Sequence, residues 1–547
     1  MIDIKKYGIE PFGATPNERQ IAHYKVGKKV FFHFGVNTFT NKEWGDGNEV
    51  EKLFDPSELD TDQWIKIAKD AGFKLAILTV KHHDGFCLWP SAYTTHSVKN
   101  SPYKNGQGDV VREFVESCHK YGLKVGMYLS PWDRHSPYWG KDDYSDYYAA
   151  QLTELMTGYG EIHEVWWDGA GSREARYDWD MWESIIRKNQ PKAAIFGSMG
   201  AAGRTDLRWV GNEGGHAGKT HYASVNLQDI VDEVRSVLNE GTIGAEAYVP
   251  TETDVSIRPG WFYHKDQDDN VKSVSKINKI WFESVGRNSM MLLSFPPDPR
   301  GLVCDKDAEN AIESNRCIEK MLSINYAEGA TITPVNGESI SMLDDADGEE
   351  ITVYTGGVID IVLPKAEKIN VFAIGELVEA GERITSFKLE SISGDGACHI
   401  LYEGTSVGFY RAVQIENGEY DHLRFTVTGG MAAPLLKKIG LHYYEAPVDD
   451  DVIRRGDDIV KSIESIGDGC TVDVEFGGIY PFDHVEFTAD KKGFYKIYAF
   501  SGQDYELVCE GEGGCRLGVN LPYTVTDSYR IRVERDSKIT DVVVKLR

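Results

Sequence analysis

The strongest constraint on this chain is a strand-then-helix pattern that repeats through roughly its first 300 residues. Apolar runs at Val30–Val36, Leu75–Val80, Lys124–Leu129, Glu164–Trp167, Ala193–Gly197 and Ser289–Phe295 alternate with amphipathic segments. Trp64, Ile67, Ala68 and Ala71 recur at the i, i+3, i+4, i+7 spacing of one helical face. The same spacing recurs in Val111, Phe114, Val115 and Cys118, in Leu227, Ile230, Val231 and Val234, and in Val274, Ile277 and Trp281. Gly72 and Gly122 stand where a left-handed residue ends a helix, and Pro191 closes another after Gln190. A doubly wound sheet would carry a Gly-rich phosphate turn after its first strand. Phe32-His33-Phe34-Gly35-Val36 is nothing like one. The expected fold is therefore α/β, a (β/α)8-type barrel with its site at the C-terminal strand ends. His82, His83, Asp84, Trp132, Asp133, Asp168 and Glu213 all follow strand-like runs.

At 547 residues the chain exceeds one hydrophobic core, which stops growing at roughly 250–300 residues. After Ala327 the helical patterns give way to short alternating runs such as Ile351-Thr352-Val353-Tyr354 and His422-Leu423-Arg424-Phe425-Thr426-Val427. Gly, Asp and Asn turns bound them, as in C-terminal β-sandwich domains. Pro447-Val448-Asp449-Asp450-Asp451 reads as a linker. Three units are expected: a barrel over 1–328, a β-sandwich over 329–447, and a second sandwich-like unit over 448–547.

A net charge of −27 repels phosphate backbones and anionic lipid, so nucleic acid and membrane surfaces are poor partners, whereas a neutral glycan is compatible. No apolar stretch is long enough to span a bilayer. The N-terminus has no signal-peptide pattern. The compartment stays open: periplasmic or extracellular if a signal has been removed, otherwise cytoplasmic. The eight cysteines form no Cys-x-x-Cys pair. Cys87 and Cys118 read as small core residues, and Cys509 and Cys515 bracket a Gly-rich turn across which they could pair.

Four motifs could carry chemistry. In Val165-Trp166-Trp167-Asp168-Gly169 a carboxylate ends an apolar strand between aromatic walls, as attack on a sugar's anomeric carbon requires. The competing reading is an Asp that caps the next helix. Lys81-His82-His83-Asp84-Gly85-Phe86 places two histidines at a strand end. Neighbours on a strand point to opposite faces, so they could serve one site only if the strand has already ended. His33 lies on a very apolar strand and reads equally as a satisfied interior histidine. Glu213 sits in Trp209-Val210-Gly211-Asn212-Glu213-Gly214-Gly215, where glycines would let a ligand approach, although an acid in such a loop is usually just solvated.

Together, Phe32-His33-Phe34-Gly35, Glu43-Trp44, Lys81-His82-His83-Asp84-Gly85-Phe86 and Trp166-Trp167-Asp168-Gly169 resemble glycoside hydrolase family 29, the α-L-fucosidases. The resemblance implies a β/α barrel with irregularities that releases terminal α-L-fucose with retention and needs neither cofactor nor metal. It implies Asp168 as nucleophile and His33, Glu43, Trp44, His82, His83, Tyr128 and Trp166 as fucose-binding residues. Asn212-Glu213-Gly214, 45 residues beyond Asp168 (213 − 168), resembles the acid/base segment of the branch that prefers α-1,3/1,4-linked fucose on branched glycans. Trp261 resembles an aromatic that packs on the fucose methyl group. For the family's fucose-contacting arginine, Arg204, Arg208 and Arg258 are the candidates. The implied partner is a fucosylated oligosaccharide or glycoconjugate; oligomeric state is left open. Two rival readings are a metal-dependent barrel hydrolase using His33, His82, His83 and Asp168, and a catalytically silent glycan-binding protein.

Overall fold

The computed structural model describes residues 1–171, 175–197, 201, 203–344, 348–447, 460–476, 482–500, 505–525, 528 and 530–545. Eight parallel strands close into a barrel: β1 (Lys28–Phe32), β2 (Leu75–Lys81), β3 (Lys124–Leu129), β4 (Glu164–Trp166), β5 (Ala194–Gly197), β6 (Leu207–Trp209), β7 (Thr251–Ser256) and β8 (Met290–Phe295). β1 pairs with β8 and β2, and the remaining neighbours follow in sequence around the ring. Strand alternation sorts the side chains. In β1, Val30 and Phe32 belong to the core under the helices, while Phe31 joins Ile77, Tyr128, Trp166 and Phe196 inside the barrel.

Helices α1 (Glu18–Val26), α2 (Thr61–Asp70), α3 (Val110–Tyr121), α4 (Tyr144–Gly158), α5 (Trp179–Asn189), α6 (Val274–Glu283) and α7 (Asp305–Leu322) surround it. Their starts are written into the sequence. Asn17 and Gln20 form a reciprocal capping box on α1, and Asp60, Asp109, Asp178 and Ser273 each accept a first-turn N–H of α2, α3, α5 and α6. Gly122 ends α3 at φ 78°, where a Cβ would be strained.

The ring departs from regularity in one sector. Between β5 and β6, residues 198–200 and 202 lie outside the described residues, and the others form no α-helix. Beyond β6, the helical face expected over Leu227–Val234 is not continuous. It breaks into Leu227–Val231 and Arg235–Glu240 around Glu233, whose φ is 49°, so Val231 and Val234 stay exposed. The periodicity was sound, but a positive φ at a non-glycine residue stops the helix before Val234.

Eight antiparallel strands between Thr331 and His442 form one sheet, built on the long strands Val358–Glu376 and Arg411–Gly430. Glu382 clamps this unit to the barrel. Its buried carboxylate accepts from the Ala223 N–H (2.9 Å), the Ser224 N–H (3.1 Å) and hydroxyl (2.7 Å), and Asn288 Nδ2 (2.7 Å). The last unit encloses Val474, Phe487, Ile497, Ile531 and Val542 between a five-stranded and a three-stranded sheet. Of the expected linker, residues 448–451 lie outside the described residues. Cys87 and Cys118 are buried. Cys509 and Cys515 do not pair: Cys509 lies in the five-stranded sheet, and Cys515 precedes a strand of the other one. No described helix is long and apolar enough to cross a membrane.

Candidate active site

At the C-terminal strand ends a cavity of about 400 Å³ opens. Of the ten residues named from sequence, nine line it: His33, Trp44, His82, His83, Tyr128, Trp166, Asp168, Glu213 and Trp261. His33 follows β1 on the inward parity of Lys29 and Phe31. The adjacent histidines share the cavity because β2 ends at Lys81, so strand alternation no longer separates them. Their ring centroids lie 4.0 Å apart.

Asp168 is held from both sides. Its Oδ2 accepts from the Tyr128 hydroxyl and its Oδ1 from the Ala170 N–H, each at 2.8 Å. Burial raises its pKa above the usual carboxylate value, and those two hydrogen bonds pull against the rise. His83 Nε2 stands 3.8 Å from Asp168 Oδ2. The Ser130 hydroxyl donates to the Trp132 carbonyl (2.7 Å), so its oxygen accepts from His83 Nδ1 at 2.8 Å. That fixes the tautomer and leaves Nε2 as an acceptor for a ligand hydroxyl. Burial pushes the His83 pKa down to about 3, so the ring is neutral and does not ion-pair with Asp168. Burial also holds His33 and His82 well below the ordinary histidine value. Ser294 Oγ fixes His33 Nδ1 at 2.7 Å, and Asn37 Nδ2 donates to His82 Nδ1 at 3.5 Å. The result is a row of neutral rings that can donate to and accept from hydroxyls.

Aromatic surface supplies the rest of the wall. Trp166 stacks on Phe196 at 4.0 Å, and Trp44 stands edge-on to His83 and Trp132 while remaining 56% exposed. Trp166 is fixed from below by Glu252, which accepts from its Nε1 at 2.8 Å. Lys29 joins Glu252 and Glu164 in the barrel interior, 2.8 Å from Glu164 Oε2. Burial opposes charge on Lys29, yet the two carboxylates keep its pKa above the usual lysine value.

Glu213 stands at the exposed rim, where Trp261 Nε1 donates to its Oε2 at 3.2 Å. Desolvation by the surrounding walls raises its pKa; Asp168 and Glu43 add like-charge repulsion, while Trp261 and Arg235 lower it. Glu43 is the tenth residue, and it is not part of the cavity lining. Its carboxylate accepts from the Trp261 N–H (2.8 Å), the Phe262 N–H (3.3 Å) and His264 Nε2, which seats the Trp261 loop. Among the described residues no group of three or more His, Cys, Asp or Glu is placed to hold a metal ion.

The Alpha-L-fucosidase family model matches residues 17–314. The chain belongs to glycoside hydrolase family 29, the α-L-fucosidases. It is 38% identical to Alpha-L-fucosidase 1 of Arabidopsis thaliana, over 79% of this chain and 88% of the relative. A Bacteroides thetaiotaomicron structure bearing an α-L-fucosidase name is 40% identical, with a TM-score of 0.75 over 80% of this chain and 99% of that one. A glycoside hydrolase 29 family member from an unknown rumen bacterium is 32% identical, with a TM-score of 0.72 over 98% and 100%. The chain is thus an α-L-fucosidase, a glycoside hydrolase, and the silent binding-protein reading falls away.

Three charged lining residues of this fucosidase escaped the sequence reading: Asp254, Glu233 and Arg235. Asp254 accepts from Trp209 Nε1 at 2.8 Å, and burial raises its pKa well above the usual carboxylate value. Arg235 lies 4.3 Å over the Trp209 ring and donates to the Gly211 carbonyl at 2.8 Å. None of the three arginines considered from sequence lines the cavity. Arg204 pairs with Asp180, Arg208 is buried among the Leu238, Ala223, Tyr222 and Val249 carbonyls, and Arg258 is held by Asp307 and Asp268. Among the described residues the arginine lining the fucosidase cavity is Arg235, from the second short helix after β6.

Proposed function

We propose that this enzyme is a retaining exo-α-L-fucosidase that removes α-1,3/1,4-linked fucose from branched glycans, with Asp168 as nucleophile and Glu213 as acid/base. The observation that carries the reading is that two of the carboxylates on one small cavity, Asp168 and Glu213, are held by different partners. Asp168 takes hydrogen bonds from Tyr128 and Ala170 that orient both oxygens. Glu213 sits at the open rim, where a leaving group would depart. In the first step Asp168 attacks the anomeric carbon while Glu213 passes its proton to the departing oxygen. In the second, Glu213 takes a proton from water as that water displaces Asp168. His33, His82 and His83 would hold the sugar hydroxyls. Trp166 and Trp261 would cover the 6-deoxy methyl, whose burial stabilises the complex by about 1 kcal/mol.

Linkage choice rests on Asn212-Glu213-Gly214 and its spacing from Asp168. A panel of fucosylated trisaccharides tests it. Lewis-type α-1,3 and α-1,4 isomers are expected to show higher kcat/KM than the α-1,2 isomer. Faster cleavage of the α-1,2 isomer would overturn the assignment.

The same geometry predicts a pH effect. The Trp261 indole N–H lowers the Glu213 pKa, so Trp261→Phe lets that pKa rise. The acid then stays protonated to higher pH, and the alkaline limb of the kcat/KM profile moves upward, with a raised KM from the altered wall. A limb that stays put or moves down would separate Glu213 from that limb.

A further inference from the structure

The loop that carries Glu213 makes little backbone structure of its own. At its ends, the Val210 N–H donates to the Glu252 carbonyl at 3.3 Å and the Ala217 N–H to the Glu283 carbonyl at 2.8 Å. Between them, from Gly211 to His216, no backbone–backbone hydrogen bond occurs among the described residues. Gly211 (φ 90°) and Gly215 (φ 80°) take left-handed conformations that other residues rarely adopt. Inside the loop Asn212 closes a small turn. Its Oδ1 accepts from the Gly214 N–H at 3.0 Å, and its Nδ2 donates to the His216 carbonyl at 2.9 Å. The direction in which Glu213 points therefore depends on what holds the two ends of this loop.

The short helix Arg235–Glu240 grips both ends. The Asn239 amide nitrogen has two hydrogens to give. Its two acceptors stand at opposite ends of the loop, the Val210 carbonyl and the His216 carbonyl, each at 3.3 Å. Arg235 lies four residues earlier, on the same helical face. Its Nη1 donates to the Gly211 carbonyl at 2.8 Å, and its guanidinium lies 4.3 Å over the ring of Trp209, the last residue of β6. The loop also packs closely on this helix: a Cβ at Gly211 would stand 3.1 Å from the Leu238 Cβ. The helix is fixed in its turn. Leu238 is buried and its carbonyl accepts from Arg208 Nε at 3.3 Å, while the Glu240 carbonyl accepts from the Tyr222 N–H at 2.7 Å.

A general acid works only within hydrogen-bond reach of the oxygen it protonates. A misplacement of about 1 Å, caused far from the chemistry, can cost about 10²-fold in rate. We infer that Asn239 and Arg235 are positioning residues for the acid/base: by three hydrogen bonds, to the Val210, His216 and Gly211 carbonyls, they set where Glu213 meets the departing oxygen. The inference rests on Glu213 being the acid/base. Asn239 does not line the cavity, so it acts on the reaction through the loop alone, whereas Arg235 also forms part of the wall.

The test measures kcat/KM of the full chain on aryl α-L-fucosides whose leaving groups run from dinitrophenolate to unsubstituted phenolate. In a two-step reaction this quantity reports formation of the fucosyl-enzyme. Asn239→Ala is expected to lose about tenfold on the phenyl fucoside, short of the 10²–10⁴-fold typical of a general acid removed outright. On the dinitrophenyl fucoside, whose leaving group departs without a proton, the loss should stay under about threefold. A side chain that only braces the fold would lower every substrate alike. If Asn239→Ala does not fold, Arg235→Met, at an exposed side chain, decides by the same gradation. Glu213→Ala in the same series separates the two claims. A graded loss in Glu213→Ala with a uniform loss, or none, in the helix variant overturns the inference alone. A uniform loss in Glu213→Ala removes the acid role and takes the inference with it.

Discussion

Asp168→Ala is expected to be nearly inactive on every fucoside, whatever the leaving group. Without the nucleophile no covalent fucosyl-enzyme forms, and the loss should be on the order of 10⁴–10⁶-fold, the scale on which removed nucleophiles act. The hydrogen bonds at Asp168 make the substitution informative. Tyr128 and Ala170 both donate to that carboxylate, one to each oxygen. Alanine leaves two unused donors and a space beside the anomeric carbon. Added azide should enter that space and yield a fucosyl azide of inverted configuration. NMR of the product decides the matter. Nitrophenyl fucoside turnover near the unmodified rate would remove Asp168 from the nucleophile role. For the unmodified enzyme, a β-anomer as first product would rule out retention.

Glu213→Ala should behave differently on different substrates. General acid catalysis contributes about 10²–10⁴-fold, so cleavage of a natural glycan should fall by that factor. An activated nitrophenolate leaves unaided, so fucosylation of the enzyme by a nitrophenyl fucoside should fall much less. Hydrolysis of the intermediate would still be slow, since Glu213 is also the base, and a burst of nitrophenol should precede slow steady turnover. Equal losses on both substrates in the fucosylation step would show that Glu213 is not the acid. Its raised pKa fits a group that must keep a proton, and exposure at the rim lets that proton exchange with water.

The barrel was legible where its strands are greasy and obscure where they are polar. Six apolar runs mark β1 to β5 and β8. β7 reads Thr-Glu-Thr-Asp-Val-Ser and carries no apolar alternation, yet all six residues are buried. Its inward positions hold Glu252, which partners Lys29 and Trp166, and Asp254, which lines the cavity. Composition cannot distinguish such a strand from a solvated loop, because the partners that make its charges tolerable come from β1, β4 and β6. β6 is only three residues long and begins ten residues after β5 ends, so it gave no period to detect. The site shows the same division. Strand-end logic grouped His82, His83, Asp168 and Glu213, whereas His33, Trp44, Tyr128, Trp166 and Trp261 joined them only through the family resemblance. Arg235 belongs to no motif and reaches the cavity only because the helix breaks at Glu233.

The Glu382 clamp bears on how such a chain can be divided or recombined. Its carboxylate satisfies backbone donors at Ala223 and Ser224 and the side chain of Asn288, all on the barrel side. A cut near residue 328 would take that acceptor away and open to water a barrel face that the intact chain buries. Behind residue 447 the chain crosses no comparable buried carboxylate clamp among the described residues. In inheritance as in gene fusion, the barrel and the first sheet are one cassette. The last unit, tied to the rest by no such clamp among the described residues, is the part expected to tolerate exchange or loss.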